Sequence, residues 1–243
     1  LSNTDTGVFI GVCNSDYSEL MLEHNVKLDA NTSTGSYFSM VPNRISYFYN
    51  LSGPSIAIDT ACSSSLVAVH LAVKAIRSRE CAMAIAGGVN VCCTPRRFFS
   101  FSHAGMLSED GRCKTFDKRA DGYVRGEGLG VILLKSLDEA LADGDYIYGV
   151  IKATAVNHGG YANTLTAPDT NAQSNLLIHA YEKAGIDPST VGYIEAHGTG
   201  TPLGDPIEIN ALKKAFGELY EKWNNLNPIE PRCGLGSVKS NIG

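Results

Sequence analysis

The sequence has no apolar run long enough to span a bilayer, and no charged-then-apolar opening segment that would read as a secretory signal. It also lacks any Cys-x-x-Cys pair. Its seven cysteines, Cys13, Cys62, Cys81, Cys92, Cys93, Cys113 and Cys233, are odd in number and irregularly spaced. That argues against a disulfide framework and a zinc site, and fits a reducing cytosol. A cytoplasmic location is therefore expected, and the Asn31-Thr32-Ser33 and Asn50-Leu51-Ser52 sequons carry little weight. Basic residues are not in excess. A formal net charge of −5 leaves no footprint for nucleic acid or an anionic membrane, so neither is an expected partner. There is no short-period repeat. What remains is 243 residues with 44% hydrophobic content, ordinary for a globular protein and enough for one large domain or two small ones.

Strand-like and helical stretches alternate along the chain, the signature of an α/β protein with a largely parallel sheet. Gly7–Val12 reads as a strand, Asp16–Lys27 as a helix, Asn31–Ser39 as a polar loop and Pro42–Tyr49 as an aromatic helical segment. A strand–turn–helix follows at Ile56–Val73, then a strand at Ala82–Ala86 and an aromatic stretch at Phe98–Phe101. Those phenylalanines either line a channel or pack in a core. The loop Ser108–Gly128 is too long for an ordinary connector, and such loops are commonly functional. Further strands are expected at Val131–Leu134, Tyr148–Val156, Tyr193–Ala196 and Cys233–Val238, with helices at Leu137–Asp143, Asn171–Gly185 and from Asp205 onward. In the last of these Asp205 reads as the N-cap and Pro206 as the first helical residue. The pattern starts again near Tyr146, which suggests two similar halves, 1–145 and 146–243. The chain opens on a brief lead-in to a strand and ends at a strand and turn. Both features lead to the expectation of an internal piece of a longer chain.

Two stretches carry chemistry. In Ile56–Val73 the apolar run Ile56–Ile58 passes through Asp59, Thr60, Ala61 and Cys62 into three serines. A mixed, largely apolar helical pattern then suggests a helix buried on most sides. Cys62 thus sits where a helix begins. Unpaired N–H groups and the positive dipole end favour a thiolate there and are able to hold an oxyanion. On local sequence alone the alternative stays open that Cys62 is a small buried residue. The second stretch, Glu195-Ala196-His197-Gly198-Thr199-Gly200-Thr201-Pro202-Leu203-Gly204-Asp205, puts a histidine directly after a short strand, in a glycine-rich loop. Ligands bind at strand ends in open α/β sheets. The glycines admit close backbone approach, and Thr199 and Thr201 offer hydroxyls to an amide or thioester. Taken alone, His197 reads as a structural histidine; paired with Cys62 on a matching strand-end turn, it reads as part of an active site. Gly126–Gly130 precedes a strand instead of following one, which argues against a dinucleotide fingerprint.

Asp59-Thr-Ala-Cys-Ser-Ser-Ser-Leu66, Glu195-Ala-His-Gly-Thr-Gly-Thr201 and Val238-Lys-Ser-Asn-Ile-Gly243 resemble three signature motifs of β-ketoacyl synthases. The closest likeness is to ketosynthase domains of modular type I polyketide synthases, and Gly105–Ser108 and Asp110–Gly130 share it. The resemblance implies a thiolase-like α/β fold. Two similar halves would form α-β-α-β-α layers, incomplete at both ends here, with Cys62 and His197 meeting at the seam. Cys62 would be the nucleophile that accepts an acyl chain from acyl carrier protein. His197 would be the first of two histidines that assist decarboxylation of a malonyl-type extender, the second following Gly243. Thr199 and Thr201 match threonines that bind the pantetheine arm. Lys239, Asp205 and Glu208 match a supporting polar network.

The reaction implied is a decarboxylative Claisen condensation giving a β-ketoacyl carrier-protein thioester, in polyketide or fatty acid biosynthesis. Thioester exchange at a thiolate costs little, so loading is reversible. Loss of carbon dioxide leaves charge on a thioester oxygen, which aimed N–H donors stabilise by about 2.7–4 kcal/mol. No metal and no directly bound cofactor are required, since the substrates ride on the phosphopantetheine of the carrier protein. Implied partners are that carrier protein, neighbouring megasynthase domains and a second copy in a homodimer. The alternatives are a non-elongating acyl-binding gatekeeper and a condensing enzyme that uses coenzyme A directly. The stretch by itself is expected to be inactive, exposing apolar faces.

Overall fold

The structure is a computed structural model and describes residues 1–161, 164, 166–223 and 233–243. In chain order the elements are β1 (Thr6–Gly11), α1 (Asp16–Glu23), α2 (Ala30–Ser36), α3 (Met40–Tyr49), β2 (Ser55–Ile58), α4 (Ser64–Arg77) and β3 (Met83–Asn90). They continue as α5 (Arg96–His103), β4 (Gly128–Lys135), α6 (Leu137–Ala142), α7 (Thr170–Ala184), β5 (Tyr193–Glu195), α8 (Gly204–Lys222), β6 (Gly234–Gly236) and α9 (Lys239–Ile242). The residues form two compact units. One comprises Leu1–Pro95 with Glu127–Ile151, the other Arg96–Gly126 with Lys152–Gly243.

The first unit is built on a sheet in the order β2-β1-β3-β4, with β1 parallel to β2 and β3, and β4 antiparallel to β3. Every residue of β1 is buried, as a central strand covered on both faces requires. The alternation along it divides the core. Val8 and Ile10 join Ile85 and pack with Val41 and Ile45 of α3, while Phe9 joins Ala68, Ala72 and Ala75 of α4 on the opposite face. The small side chains let α4 approach the sheet closely. Expected to be buried on most sides, α4 in fact buries one stripe, and Leu66 is 75% exposed, because the sheet covers only that stripe.

In the second unit α7 packs on α8 through Ile178, Ala215 and Leu219, with Tyr181 edge-on to Phe216. The α7 helix is closed by Asp169, which accepts the Ala172 N–H, and by Gly185 in the left-handed conformation. β5 and β6 form a parallel pair. The long loop after α5 stays irregular, with one bridge between Leu107 and Tyr123.

Several sequence expectations change. The polar run after Asp29 is the helix α2, started by a capping box in which Asp29 accepts the Asn31 and Thr32 N–H groups. The stretch Tyr148–Val156 has no strand pairing; Tyr148 is 96% exposed, and an extended run becomes a strand only beside a partner. β3 runs on through Gly87 and Gly88, where a Cβ on Gly87 would lie 2.3 Å from the Gly130 carbonyl oxygen. Among the described residues no helix is long and apolar enough to cross a membrane.

Candidate active site

Cys62 lies in a 3₁₀ turn, Ala61–Ser63, between β2 and α4. Its side chain is exposed, which removes the reading of a small buried cysteine. The turn is tightly specified. Ala61 adopts φ +53°, a left-handed conformation that costs a residue with a Cβ about 1–2 kcal/mol. The Asp59 carboxylate accepts the Ala61 N–H at 3.0 Å. Ser64, buried at the first position of α4, accepts the Thr60 N–H at 2.9 Å and donates to the Ala61 carbonyl at 2.7 Å. Two glycines make room for this turn. A Cβ on Gly11 would lie 2.7 Å from the backbone of Ser64 and Ser65, and one on Gly88 would lie 2.8 Å from the Ser65 Cβ. Leading into the Cys62 turn, the sequence therefore needs strand ends without side chains.

In the second unit the loop after β5 gathers the other sequence-derived residues. Both oxygens of Glu208, on α8, accept backbone N–H groups, His197 at 2.7 Å and Gly198 at 2.8 Å. Ser237 donates to the His197 carbonyl at 3.3 Å, and the Ala196 N–H bonds the Gly236 carbonyl at 2.8 Å. His197 is thus held by its main chain, and the residue is exposed. Desolvation by the atoms packed behind it, reinforced by the Lys239 ammonium, lowers its pKa below the ordinary 6.5, with Glu208 and Asp205 opposing the shift.

Asp205 is not the N-cap of α8. It lies one residue inside the helix start, 5% exposed, and its carboxylate accepts the Gly200 N–H at 3.0 Å and the Phe116 N–H at 2.7 Å. The long loop is stitched to the histidine loop by three hydrogen bonds. Phe116 is one, the Thr115 hydroxyl donating to the Gly198 carbonyl at 2.7 Å is another, and the Gly122 N–H bonding the Gly200 carbonyl at 2.9 Å is the third. Gly198 and Gly200 both have positive φ, and a Cβ at either would strike this loop, Thr115 at 2.5 Å or Lys114 at 2.9 Å. The Lys114 ammonium in turn ties Asp110 and Asp121 together at 2.7 Å each, and with Ser108 this holds the Asp110 carboxyl down at about 2. Thr199 and Thr201 hydroxyls lie 3.0 Å apart, and Thr201 also accepts the Gly204 N–H at 3.1 Å.

Lys239 opens α9 directly after β6. Its neighbour Val238 donates its N–H to Glu195 at 2.7 Å, and the Tyr193 hydroxyl bonds the other Glu195 oxygen at 2.6 Å, which together lower the Glu195 pKa. The second unit therefore brings together His197, Thr199, Thr201, Asp205, Glu208 and Lys239, while Cys62 belongs to the first. Ser64, Thr115, Glu195 and Ser237 were not singled out from the sequence. The hydroxyl run after Cys62 was visible, but only the folded turn shows which hydroxyl bonds the backbone. Among the described residues no group of three or more His, Cys, Asp or Glu side chains is arranged to hold a metal ion.

Comparison with known proteins adds the family. The β-ketoacyl synthase N-terminal domain matches residues 1–140, and the β-ketoacyl synthase C-terminal domain matches residues 148–243. Polyketide synthase PksN of Bacillus subtilis is 57% identical over 243 residues, covering 100% of this chain and 4% of that protein. Polyketide synthase ThaG of Burkholderia thailandensis is 49% identical, again over 100% of this chain and 4% of the relative. The chain is thus a small part of the length of these curated relatives. Among solved structures, the ketosynthase from module 6 of the Bacillus subtilis bacillaene synthase superposes with a TM-score of 0.90 at 44% identity, covering 100% of this chain and 40% of that one. The oxazolomycin ketosynthase domain OzmH KS7 of Streptomyces albus gives 0.89 at 44% identity, covering 99% and 40%. The fold is accordingly thiolase-like.

Proposed function

Since the chain belongs to the β-ketoacyl synthase family, we propose that it carries the acyl-accepting cysteine and one catalytic histidine of a polyketide synthase ketosynthase. Residues 1–145 belong to the first thiolase-like half and 146–243 to the second. In the first step the Cys62 sulfur attacks the acyl thioester on acyl carrier protein, and the pantetheine thiol leaves with the proton. In the second, a malonyl-type thioester loses carbon dioxide, and its enolate carbon attacks the acyl group on Cys62, releasing the sulfur. The Cys62 N–H serves as a donor to the oxyanion of the attacked thioester. His197 donates to the enolate oxygen, Thr199 and Thr201 bind the pantetheine arm, and Asp205, Glu208 and Lys239 hold the histidine loop.

One observation supports this reading above the others: an exposed cysteine on a specified turn at a helix start, in a chain that also holds a histidine by its main chain with its pKa lowered by desolvation. A neutral imidazole is the form that has an N–H to give without a charge to lose. The relatives are much longer chains, in keeping with carrier protein and other megasynthase domains as covalent neighbours, and we extend the reading to a cytoplasmic homodimer.

The test uses the full-length protein with acyl and malonyl carrier proteins. Cys62→Ala abolishes acyl loading. His197→Ala retains loading and loses carbon–carbon bond formation by roughly 10²–10³-fold, the scale of deleting one donor to a developing oxyanion. Loading of wild-type Cys62 with no carbon dioxide release and no β-ketoacyl product would instead mark a gatekeeper.

A further inference from the structure

We propose that Ser64 is a positioning residue whose hydroxyl orients the Cys62 N–H toward the oxygen of the thioester under attack. The inference rests on the reading of Cys62 as the acyl acceptor. It starts from the left-handed Ala61, which lies directly before the nucleophile. A residue with positive φ turns the chain sharply, and the peptide groups on either side need to be held if the turn is to keep one geometry. The peptide before Ala61 is held by the Asp59 carboxylate at the Ala61 N–H and by the Ser63 hydroxyl at the Thr60 carbonyl, while Ser64 holds the peptide after it and ties it back to Thr60. The Ser64 oxygen accepts the Thr60 N–H at 2.9 Å and its proton goes to the Ala61 carbonyl at 2.7 Å.

The second bond reaches the chemistry. The Ala61 carbonyl and the Cys62 N–H are the two ends of one planar trans peptide, so fixing the direction of the carbonyl fixes that of the N–H, which points the opposite way. Ser64 is buried and Cys62 exposed, so the Cys62 N–H, opposite to the carbonyl that Ser64 holds, belongs to the exposed residue of the turn. Ser64 is itself immobilised, since α4 starts against the bare backbone of Gly11, with no room for a Cβ between them. The neighbouring hydroxyls do not substitute for it. Ser63 bonds the Thr60 carbonyl and hydroxyl, leaving the Ala61 carbonyl to Ser64, whose backbone N–H closes the 3₁₀ turn on it and whose hydroxyl adds the second bond that sets its direction.

Two reactions of the same sulfur separate this role from a merely structural one. Acyl transfer from a thioester builds negative charge on oxygen and needs an aimed donor. Alkylation by iodoacetamide is displacement at a saturated carbon and builds no oxyanion. In the full-length protein, kcat/KM for acylation of Cys62 by butanoyl N-acetylcysteamine thioester is followed by mass spectrometry of the Cys62 peptide, alongside the alkylation rate across pH. Ser64→Ala is expected to lower acylation at least about 10-fold, short of the 10²–10³-fold for losing a donor outright, with the alkylation rate and its pH profile within about twofold of wild type. Unchanged acylation, or acylation and alkylation falling together, overturns the proposal. Loss of the underlying reading looks different: wild-type protein then carries the acyl group elsewhere, and Cys62→Ala loads as well as wild type.

Discussion

A neutral imidazole keeps one N–H to donate and one nitrogen to accept, and the surroundings of His197 favour that state. Packing atoms disfavour the imidazolium, and the Lys239 ammonium repels it. The folded-state pKa lies below 6.5, so the linked stability is complete above 6.5, where both folded and unfolded states are neutral. It is lost as pH falls through the lowered value, because the unfolded chain then binds the proton more readily. A histidine Cε1 proton titration is expected to place the His197 midpoint below 6.5, and Lys239→Gln to move it upward by removing the repelling charge. A midpoint at or above 6.5, or a downward shift in Lys239→Gln, would contradict the assignment. At this scale the sequence was legible where a residue type has few uses. A cysteine at a helix start and a histidine in a glycine-rich strand-end loop stood out on chemistry alone. What holds them did not: Glu208 was named only through the family resemblance, and Ser237 and Ser64 act on backbone groups, whose bonding partners are invisible until the chain has folded.

Among the elements, α4 shows how position is set by what is left out. Its first turn rests on Gly11 and Gly88. Gly11→Ala sets a Cβ against main chain, and Gly88→Ala sets one against the Ser65 Cβ, which the backbone fixes; neither neighbour is able to rotate away. Urea denaturation is expected to show about 1–3 kcal/mol lost in each. Gly35→Ala, which faces open space on α2, should lose nothing measurable. Equal effects of all three would mean that the close approach does not constrain the turn. Most strands and helices were readable from their periodicity, with ends off by a few residues. The exceptions have physical reasons. The α2 helix has too little apolar patterning to show, and its capping box was the better signal. Tyr148–Val156 has strand-like residues, but strand formation depends on a neighbour that no local pattern encodes. Asp205 fitted the N-cap rule, yet its carboxylate serves two amides outside the helix start, Gly200 and Phe116.

Over the whole molecule, alternation of element types was enough to expect an α/β protein, and the family comparison bears that out at 0.90 TM-score. Which segment belongs to which compact unit was not readable, since Arg96–Gly126 groups with residues that come later in the chain. One face of β4 carries Leu129, Val131 and Leu133, which are 71%, 49% and 55% exposed, beside a strand edge unpaired among the described residues. The 243-residue chain made by itself is therefore expected to bind 8-anilinonaphthalene-1-sulfonate strongly and to self-associate, and Val131→Lys with Leu133→Lys to reduce both. Weak dye binding by the unsubstituted chain would show that this face is not available. The stitching of the long loop to the histidine loop matters for anyone recombining synthases. Thr115 and Gly198, or Phe116 and Asp205, are far apart in sequence yet hydrogen-bonded. A chimera joined anywhere between residues 126 and 195 inherits the two sides of that seam from different parents, so crossover points are better chosen outside this interval.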